Sequence, residues 1–413
     1  MSPLFFTLHK EQYINMRFFT YFYEDELDQF FYKKPQEFNK YTSREILAYG
    51  LGATLYMPAT RANIHQEILS NKHVGLTSLV IDLEDAVGDQ QVEAAERMLI
   101  GELWKLYGEV HKGFLTNSDF PLMFIRIRNL EQFLRVAAQL GDAIQLLTGV
   151  VLPKFNSETG EALLAAVRRI HSDQYPFYAM PILESAKVIQ KETRMEELVN
   201  IKRLVDRYKE NVLNIRIGAT DFCGLYGIRR SMDTTVYDIA VLRDCISDII
   251  NVFQRHDSAY VVSGPVWEYF AAKNRILKPQ LRQTPFRERY GDEGLKWRKK
   301  LLNENLDGLI REILMDIANG ITGKTIIHPS HIKVVQALNV VSYEEYIDAR
   351  TIIQAASGEI GVMKSEFANK MNEIKPHLYW AEKTMLKSKL YGVLHEQYTN
   401  IDLIKQEVYL SHT

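Results

Sequence analysis

From residue 54 onward the chain repeats one pattern. A short run of β-branched and apolar residues is followed by an amphipathic segment of helical length, the signature of βα units. The strand candidates are Thr54–Pro58, Ser78–Asp82, Leu122–Ile127, Gly149–Pro153, Phe177–Ile182, Leu213–Ile217, Ala259–Val262 and Lys324–Ile327. Eight such units are what a closed parallel barrel requires. An open doubly wound sheet is the competing solution, and it usually carries a glycine-rich turn after its first strand. Here that turn reads PATRAN, without glycine. The expected fold is an α/β (β/α)₈ TIM barrel.

The barrel is expected over residues 49–340, behind an N-terminal extension at 1–48 that is rich in aromatic and charged residues. Met16 opens a second plausible start, MRFFTYFYEDELDQFFY. The gap before the eighth strand contains KPQLRQTPFRERYGDEGLKWRKK, Lys278 to Lys300, and reads as a rim insertion at about 273–305. That basic stretch is either a solvated face or a clamp for an anionic substrate tail or a subunit contact. Residues 341–413 are expected to form a helical C-terminal or lid segment.

Composition narrows the function classes. A formal net charge of -2 offers no basis for binding nucleic acid or anionic membranes. No apolar run is long enough to span a bilayer, and Met1 to Asn15 lacks the basic start and apolar core of a signal peptide. Two cysteines, Cys223 and Cys245, form neither a disulfide framework nor a four-ligand zinc site. A cytoplasmic home is expected.

In a barrel of this type the active site forms at the carboxyl ends of the strands. Read in order, those ends carry Arg61, Glu84 with Asp85, Arg126, Lys154, Glu184, Asp221 and His328. Glu184 in MPILESA and Asp221 in IGATDFCG each follow an apolar strand. Two such carboxylates offer hard oxygens to Mg²⁺, which binds through one or two acids and keeps water or substrate in its other positions. They serve equally as acids at the start of the following helices, where the dipole favours them. Asp82, Glu84 and Asp85 in LVIDLEDAV repel one another unless a cation offsets them. That offset is a metal, or the loop is a capped helix junction. Strand alternation puts Arg126 and Arg128 in FIRIRN on one face and Ile127 on the other. Arg61, Arg126 and Arg128 are forked donors for a carboxylate, or charge balance for the acids. Lys154 in VVLPKF admits a Schiff-base reading, which needs desolvation, but an ion pair with a rim acid is the expectation. His328, held before Pro329, is a substrate contact or a turn histidine. Cys223 has no histidine–acid pair at a spacing suited to a nucleophile and reads as structural.

These segments together resemble the HpcH/HpaI aldolase and citrate-lyase β-subunit family. YMPATRANIHQEIL looks like its opening P-x-x-R segment, and VIDLEDAV is similar to its most specific motif. FIRIRN, GVVLPKF, PILESAKV, IGATDF and GKTIIHPSHIKVV follow in the family's order, over roughly residues 54–385. The resemblance implies a TIM barrel, often trimeric or hexameric, with Mg²⁺ (Mn²⁺ in its place) held by Glu184 and Asp221. It implies that Glu84 and Asp85 hold metal-bound waters, and that Arg61 and Arg126 contact the substrate; Arg128, Lys154 and His328 are the further candidates for substrate binding from the residues themselves. The implied reaction is retro-aldol or retro-Claisen cleavage of a 2-oxo or 3-hydroxy acid or its CoA thioester through a metal-stabilised enolate, or the reverse condensation.

The chain also departs from that family. Where relatives read R-V-N, it has Arg126-Ile127-Arg128 with Asn129 one place late, which suggests a more anionic substrate. The lid motif M-x-D-x-P of acyl-CoA lyases becomes MNEIKP, with Glu373 in the aspartate's place and one residue inserted before Pro376. By the resemblance, Glu373 would be an acid/base offered to a neighbouring subunit. With the rim insertion, these features are similar to the divergent branch found in bacterial stress and tellurium-resistance gene clusters. The alternatives are a non-catalytic barrel that binds a metabolite or partner, and a thioester hydrolase using the same site.

Overall fold

Ser78–Asp82 shows locally why the chain closes on itself, since all five residues are buried. A strand with no wet face needs covering layers on both sides, which parallel strands joined by helices supply. The computed structural model describes residues 16–113, 115–116, 119–270, 289–294, 296, 306–356 and 361–404. A short strand β1 (Phe31–Lys33) precedes the barrel strands β2 (Ala53–Pro58), β3 (Ser78–Asp82), β4 (Leu122–Arg126), β5 (Gly149–Leu152), β6 (Tyr178–Leu183), β7 (Ile215–Ile217), β8 (Val262–Trp267) and β9 (Lys324–Ile326). They pair in sequence order, all parallel, and β9 closes on β2 through Leu55 opposite Ile326. The eight-stranded barrel read from the sequence is therefore the fold.

The helices form where polarity alternates at helical spacing. Ala240–Phe253 buries Leu242, Cys245, Ile246, Ile249 and Phe253 against the barrel. Leu130–Leu140 starts where the Asn129 side chain accepts the Gln132 amide at 2.9 Å, satisfying an orphan donor of the first turn. Tyr343–Gln354 starts on a capping box of Ser342 and Glu345.

The seventh barrel strand begins where the expected Ala259–Val262 ends. Ser263-Gly264-Pro265 reads as a turn in sequence, yet it lies inside β8. Packing explains it. A Cβ at Gly264 would sit 2.5 Å from Asp316 Oδ2, and Ser263 donates to the Thr322 carbonyl at 2.9 Å. The small residues admit the helix Asp307–Ala318 and its acids against the strand.

Both flanks are knit to the barrel. β1 pairs antiparallel with β12 (Val393–Leu394), Phe31 facing Leu394. The ring of Phe18 stacks on Tyr391 at 4.3 Å, and the Tyr391 hydroxyl donates to the Tyr49 carbonyl. β10 (Val362–Lys364) and β11 (Met371–Glu373) form a hairpin ahead of the helix Ile374–Tyr391. Of the expected rim insertion, 273–288, 295 and 297–305 lie outside the described residues, as do 1–15 of the extension. Arg289 and Tyr290 reach the Gln397 carbonyl and the Asp402 carboxylate. Among the described residues no helix is long and apolar enough to cross a membrane.

Candidate active site

At the carboxyl ends of the strands opens a cavity of about 400 Å³, lined among others by Tyr56, Asp82, Asp85, Arg126, Glu184, Arg216, Asp221 and Thr325. That volume lies in the range of small-molecule sites.

The arrangement begins with register. Asp82 ends β3 directly opposite Arg126, which ends β4. Arg126 Nε and Nη2 donate to Asp82 Oδ1 and Oδ2 at 2.7 and 2.5 Å, a two-pronged pair that fixes the plane of the guanidinium. Asp82 also accepts the amides of Glu84 and Ala86 at 2.9 and 3.2 Å, which shapes the loop after β3. The remaining Arg126 nitrogen, Nη1, lies 3.1 Å from Glu84 Oε2 and 3.4 Å from Asp85 Oδ2. The three acids of LVIDLEDAV thus have separate tasks. Asp82 anchors, while Glu84 and Asp85 face the cations.

Lys154 follows β5 with φ at 48°, the left-handed region that non-glycine residues adopt at a cost. There its amide donates to Glu184 Oε1 at 2.7 Å. Its ammonium binds Glu84 and lies 3.4 Å from Asp85 and 3.7 Å from Asp221. Despite partial desolvation, these acids raise its pKa, so it is a fixed cation and not an amine poised for a Schiff base.

Glu184 follows β6 and Asp221 sits in the first turn of the helix Ala219–Leu225 after β7. Glu184 is 3% exposed, and burial together with Asp221 pushes its carboxyl up to about 8. Asp221 is raised by burial as well, against the pull of Lys154. Gly218 makes the approach possible, since a Cβ there would lie 2.0 Å from Glu184 Oε2. Two desolvated carboxylates forced together are a site that a cation relieves. Among the described residues no three His, Cys, Asp or Glu side chains form a metal cage. Two hard acids with open space around them suit Mg²⁺, which keeps water or substrate oxygens, and do not suit zinc.

Of the residues singled out in the sequence, the fold brings together Glu84, Asp85, Arg126, Lys154, Glu184 and Asp221. Arg128 lies elsewhere, because β4 ends at Arg126 and strand alternation stops with it. Its guanidinium donates to the carbonyls of Leu83, Glu84 and Val87 and pairs with Asp89 at 2.6 Å, bracing the loop that carries Glu84 and Asp85. Arg61 is held two-pronged by Glu67 at 3.0 and 2.9 Å and does not line the cavity. His328 stacks on Phe270 at 4.6 Å and contacts Ser330, also off the cavity lining. Glu373 is exposed at the end of β11. Cys223 and Cys245 are buried free thiols.

Sequence reasoning passed over Tyr56, Arg216 and Thr325. Tyr56 lies beneath both arginines, its ring 5.3 Å from the Arg126 guanidinium and 5.8 Å from that of Arg216. One signal was present, a charged residue in the middle of the apolar run IRI.

A family model described as C–C bond lyase of the TIM-barrel fold matches residues 45–393. No curated protein sequence matches the chain. Among solved structures, the chain is similar to the protein CitE from Mycobacterium tuberculosis in complex with magnesium, acetoacetate and coenzyme A. The two are 19% identical, and the match covers 82% of this chain and 97% of that one, with a TM-score of 0.49. The citrate lyase β subunit from the same organism, complexed with oxaloacetate and magnesium, is 18% identical over 70% of this chain and 96% of its own, with a TM-score of 0.42. RipC from Yersinia pestis is 17% identical over 72% and 94%, with a TM-score of 0.38.

Proposed function

The chain belongs to the C–C bond lyase family of the TIM-barrel fold, and from that premise we propose that it is a Mg²⁺-dependent lyase acting on a 2-oxo or 3-hydroxy acid or its CoA thioester. The observation that carries the reading is the pair Glu184 and Asp221, desolvated together in a cavity that also holds Arg126. These two acids would hold the ion. When bound there, Mg²⁺ (or Mn²⁺) would supply Lewis-acid polarisation of a substrate carbonyl and an offset for the negative charge that C–C cleavage leaves.

The chain's own residues do the rest. Asp82 keeps Arg126 immobile, so its guanidinium is a preorganised donor for negative charge that develops during cleavage. Lys154 stays protonated and holds Glu84 and Asp85 in place beside the two ligands. Glu84 and Asp85 would in turn orient water beside a bound ion, and Arg128 braces their loop from behind. Arg61, His328 and Glu373 lie outside this cluster. Glu373 enters the reading only as an acid that a second copy would supply in a homo-oligomer.

The test joins metal titration to product analysis. Glu184→Gln and Asp221→Asn should each weaken Mn²⁺ or Mg²⁺ binding by about tenfold or more while circular dichroism shows an intact fold. With Mg²⁺, a screen of 2-oxo acids, 3-hydroxy acids and acyl-CoA esters should yield products with a broken carbon skeleton. Metal binding unchanged in both variants, or hydrolysed thioesters with the skeleton intact, would refute the assignment.

A further inference from the structure

Six cations are buried among the described residues: Lys40, Arg194, Lys202, Arg216, Arg230 and Lys324. Four of them are neutralised by carboxylates. Arg194 pairs with Asp248 at 2.9 Å, Lys202 with Asp206 at 2.6 Å, Arg230 with Glu312 at 2.9 Å, and Lys324 with Glu312 and Asp316 at 2.9 and 2.8 Å. Lys40 is closed over by two main-chain carbonyls at 2.6 and 2.7 Å. Arg216 has neither.

Arg216 lies in β7, 1% exposed, and it lines the same cavity as Glu184 and Asp221. Its partners are neutral: Thr325 Oγ1 at 2.6 Å, Thr54 Oγ1 at 3.4 Å and Met180 Sδ at 3.9 Å, with the Tyr56 ring beside it. Among the described residues its Nε has no hydrogen-bond partner. Among the described residues no carboxylate lies within ion-pair distance of it. Arg126, which lines the cavity with it, and Lys154, which meets Asp85 and Asp221 of the lining, are both held by acids. A desolvated guanidinium without a counter-charge costs stability, and an apolar side chain of similar volume would be cheaper. The cost is recovered when a ligand brings a carboxylate, whose geometry matches the guanidinium fork.

We propose that Arg216, with Thr325, Thr54 and Tyr56, forms a carboxylate subsite in the barrel cavity, so that the substrate is a dianion with one end at the cation that Glu184 and Asp221 would hold and the other at Arg216. The inference rests on the lyase reading and adds the class of substrate to it. A monoacid would leave Arg216 buried and unpaired. Selection against it follows from the same physics that lets a polar site reject an analogue lacking the matching group.

Two matched pairs of 2-oxo acids test this by calorimetry on the Mg²⁺-loaded protein. Oxaloacetate is compared with 2-oxobutanoate, and 2-oxoglutarate with 2-oxopentanoate, so chain length is constant and only the distal carboxylate changes. In the wild type, the diacid of at least one pair should bind about ten- to hundredfold more tightly, the scale of a hydrogen-bonded charge. Arg216→Met should abolish that preference by weakening the diacid alone. It should also raise the melting temperature, because it removes an unpaired buried charge; a purely structural arginine would lower it. Diacids that bind no better than monoacids in the wild type overturn the subsite without any variant. So does a full preference retained in Arg216→Met. Absence of binding by all four acids in the presence of Mg²⁺ would instead strike the lyase reading itself, and this subsite with it.

Discussion

Gly218→Ala should damage the proposed metal site through a single methyl group. Gly218 has φ -98° and ψ 78°, so alanine meets no left-handed backbone there. The obstacle is the neighbour. A Cβ would lie 2.0 Å from Glu184 Oε2, 2.4 Å from its Cβ and 2.9 Å from its Cδ. Contacts that short do not survive, so Glu184 must retreat and release the Lys154 amide it accepts at 2.7 Å. Overpacking of this kind costs about 1–3 kcal/mol. At roughly 2 °C per kcal/mol for a large domain, melting falls by only a few degrees. Metal affinity should fall further, by about tenfold to a hundredfold, the scale of disturbing the support of a metal ligand. Gly224→Ala is the control, because the added Cβ there has no atom within 4 Å. It should leave metal binding intact and stabilise the helix by up to about 1 kcal/mol. The assay is Mn²⁺ titration followed by electron paramagnetic resonance, paired with thermal melts of both variants. Wild-type metal affinity in Gly218→Ala, or an equal loss in Gly224→Ala, would refute the reasoning.

Arg126→Lys keeps the charge but cannot reproduce the two-pronged bond to Asp82, so turnover on a substrate found by screening should drop roughly a hundredfold. Metal affinity should stay near wild type, and undiminished turnover would reduce Arg126 to charge balance. At Glu67, burial alone would raise the carboxyl, but hydrogen bonds from Arg61, Lys72 and His73 overcome it and hold it down to about 2, from an ordinary 4.5. A depressed folded value means stabilisation that is complete above pH 4.5 and is lost as pH falls through about 2. Urea melts should therefore show a stability gap between wild type and Glu67→Gln that is constant above pH 4.5 and closes toward pH 2. A gap independent of pH contradicts the ion-pair account.

The alternation of apolar runs with amphipathic segments determined the barrel, because periodicity is local and survives in one dimension. The same order placed ionisable residues at strand ends, and with them the acids of the mouth. β8 escaped because Ser263-Gly264-Pro265 has the chemistry of a turn, and only the pressure of the Asp307–Ala318 helix against it explains the small residues. Pairing was the tertiary structure's to decide. Arg126 and Arg128 are two residues apart and chemically alike, yet one meets Asp82 across the β3–β4 register and the other wraps a loop beyond the strand's end. Arg61 sits on a motif position, but Glu67 in the helix that follows it (Ile64–Leu69) lies within reach and captures it. Lys154 turns its ammonium toward three carboxylates and its amide toward a fourth, from a left-handed backbone conformation that no spacing announces. Arg216 is one charge in an apolar strand, and its isolation becomes visible only once eight strands have closed and the other buried cations among the described residues have found their partners. Contacts such as Phe31 to Leu394, far apart in the chain, have the same origin. Sequence sets what each segment can form alone, whereas burial and charge neutralisation are properties of the closed assembly.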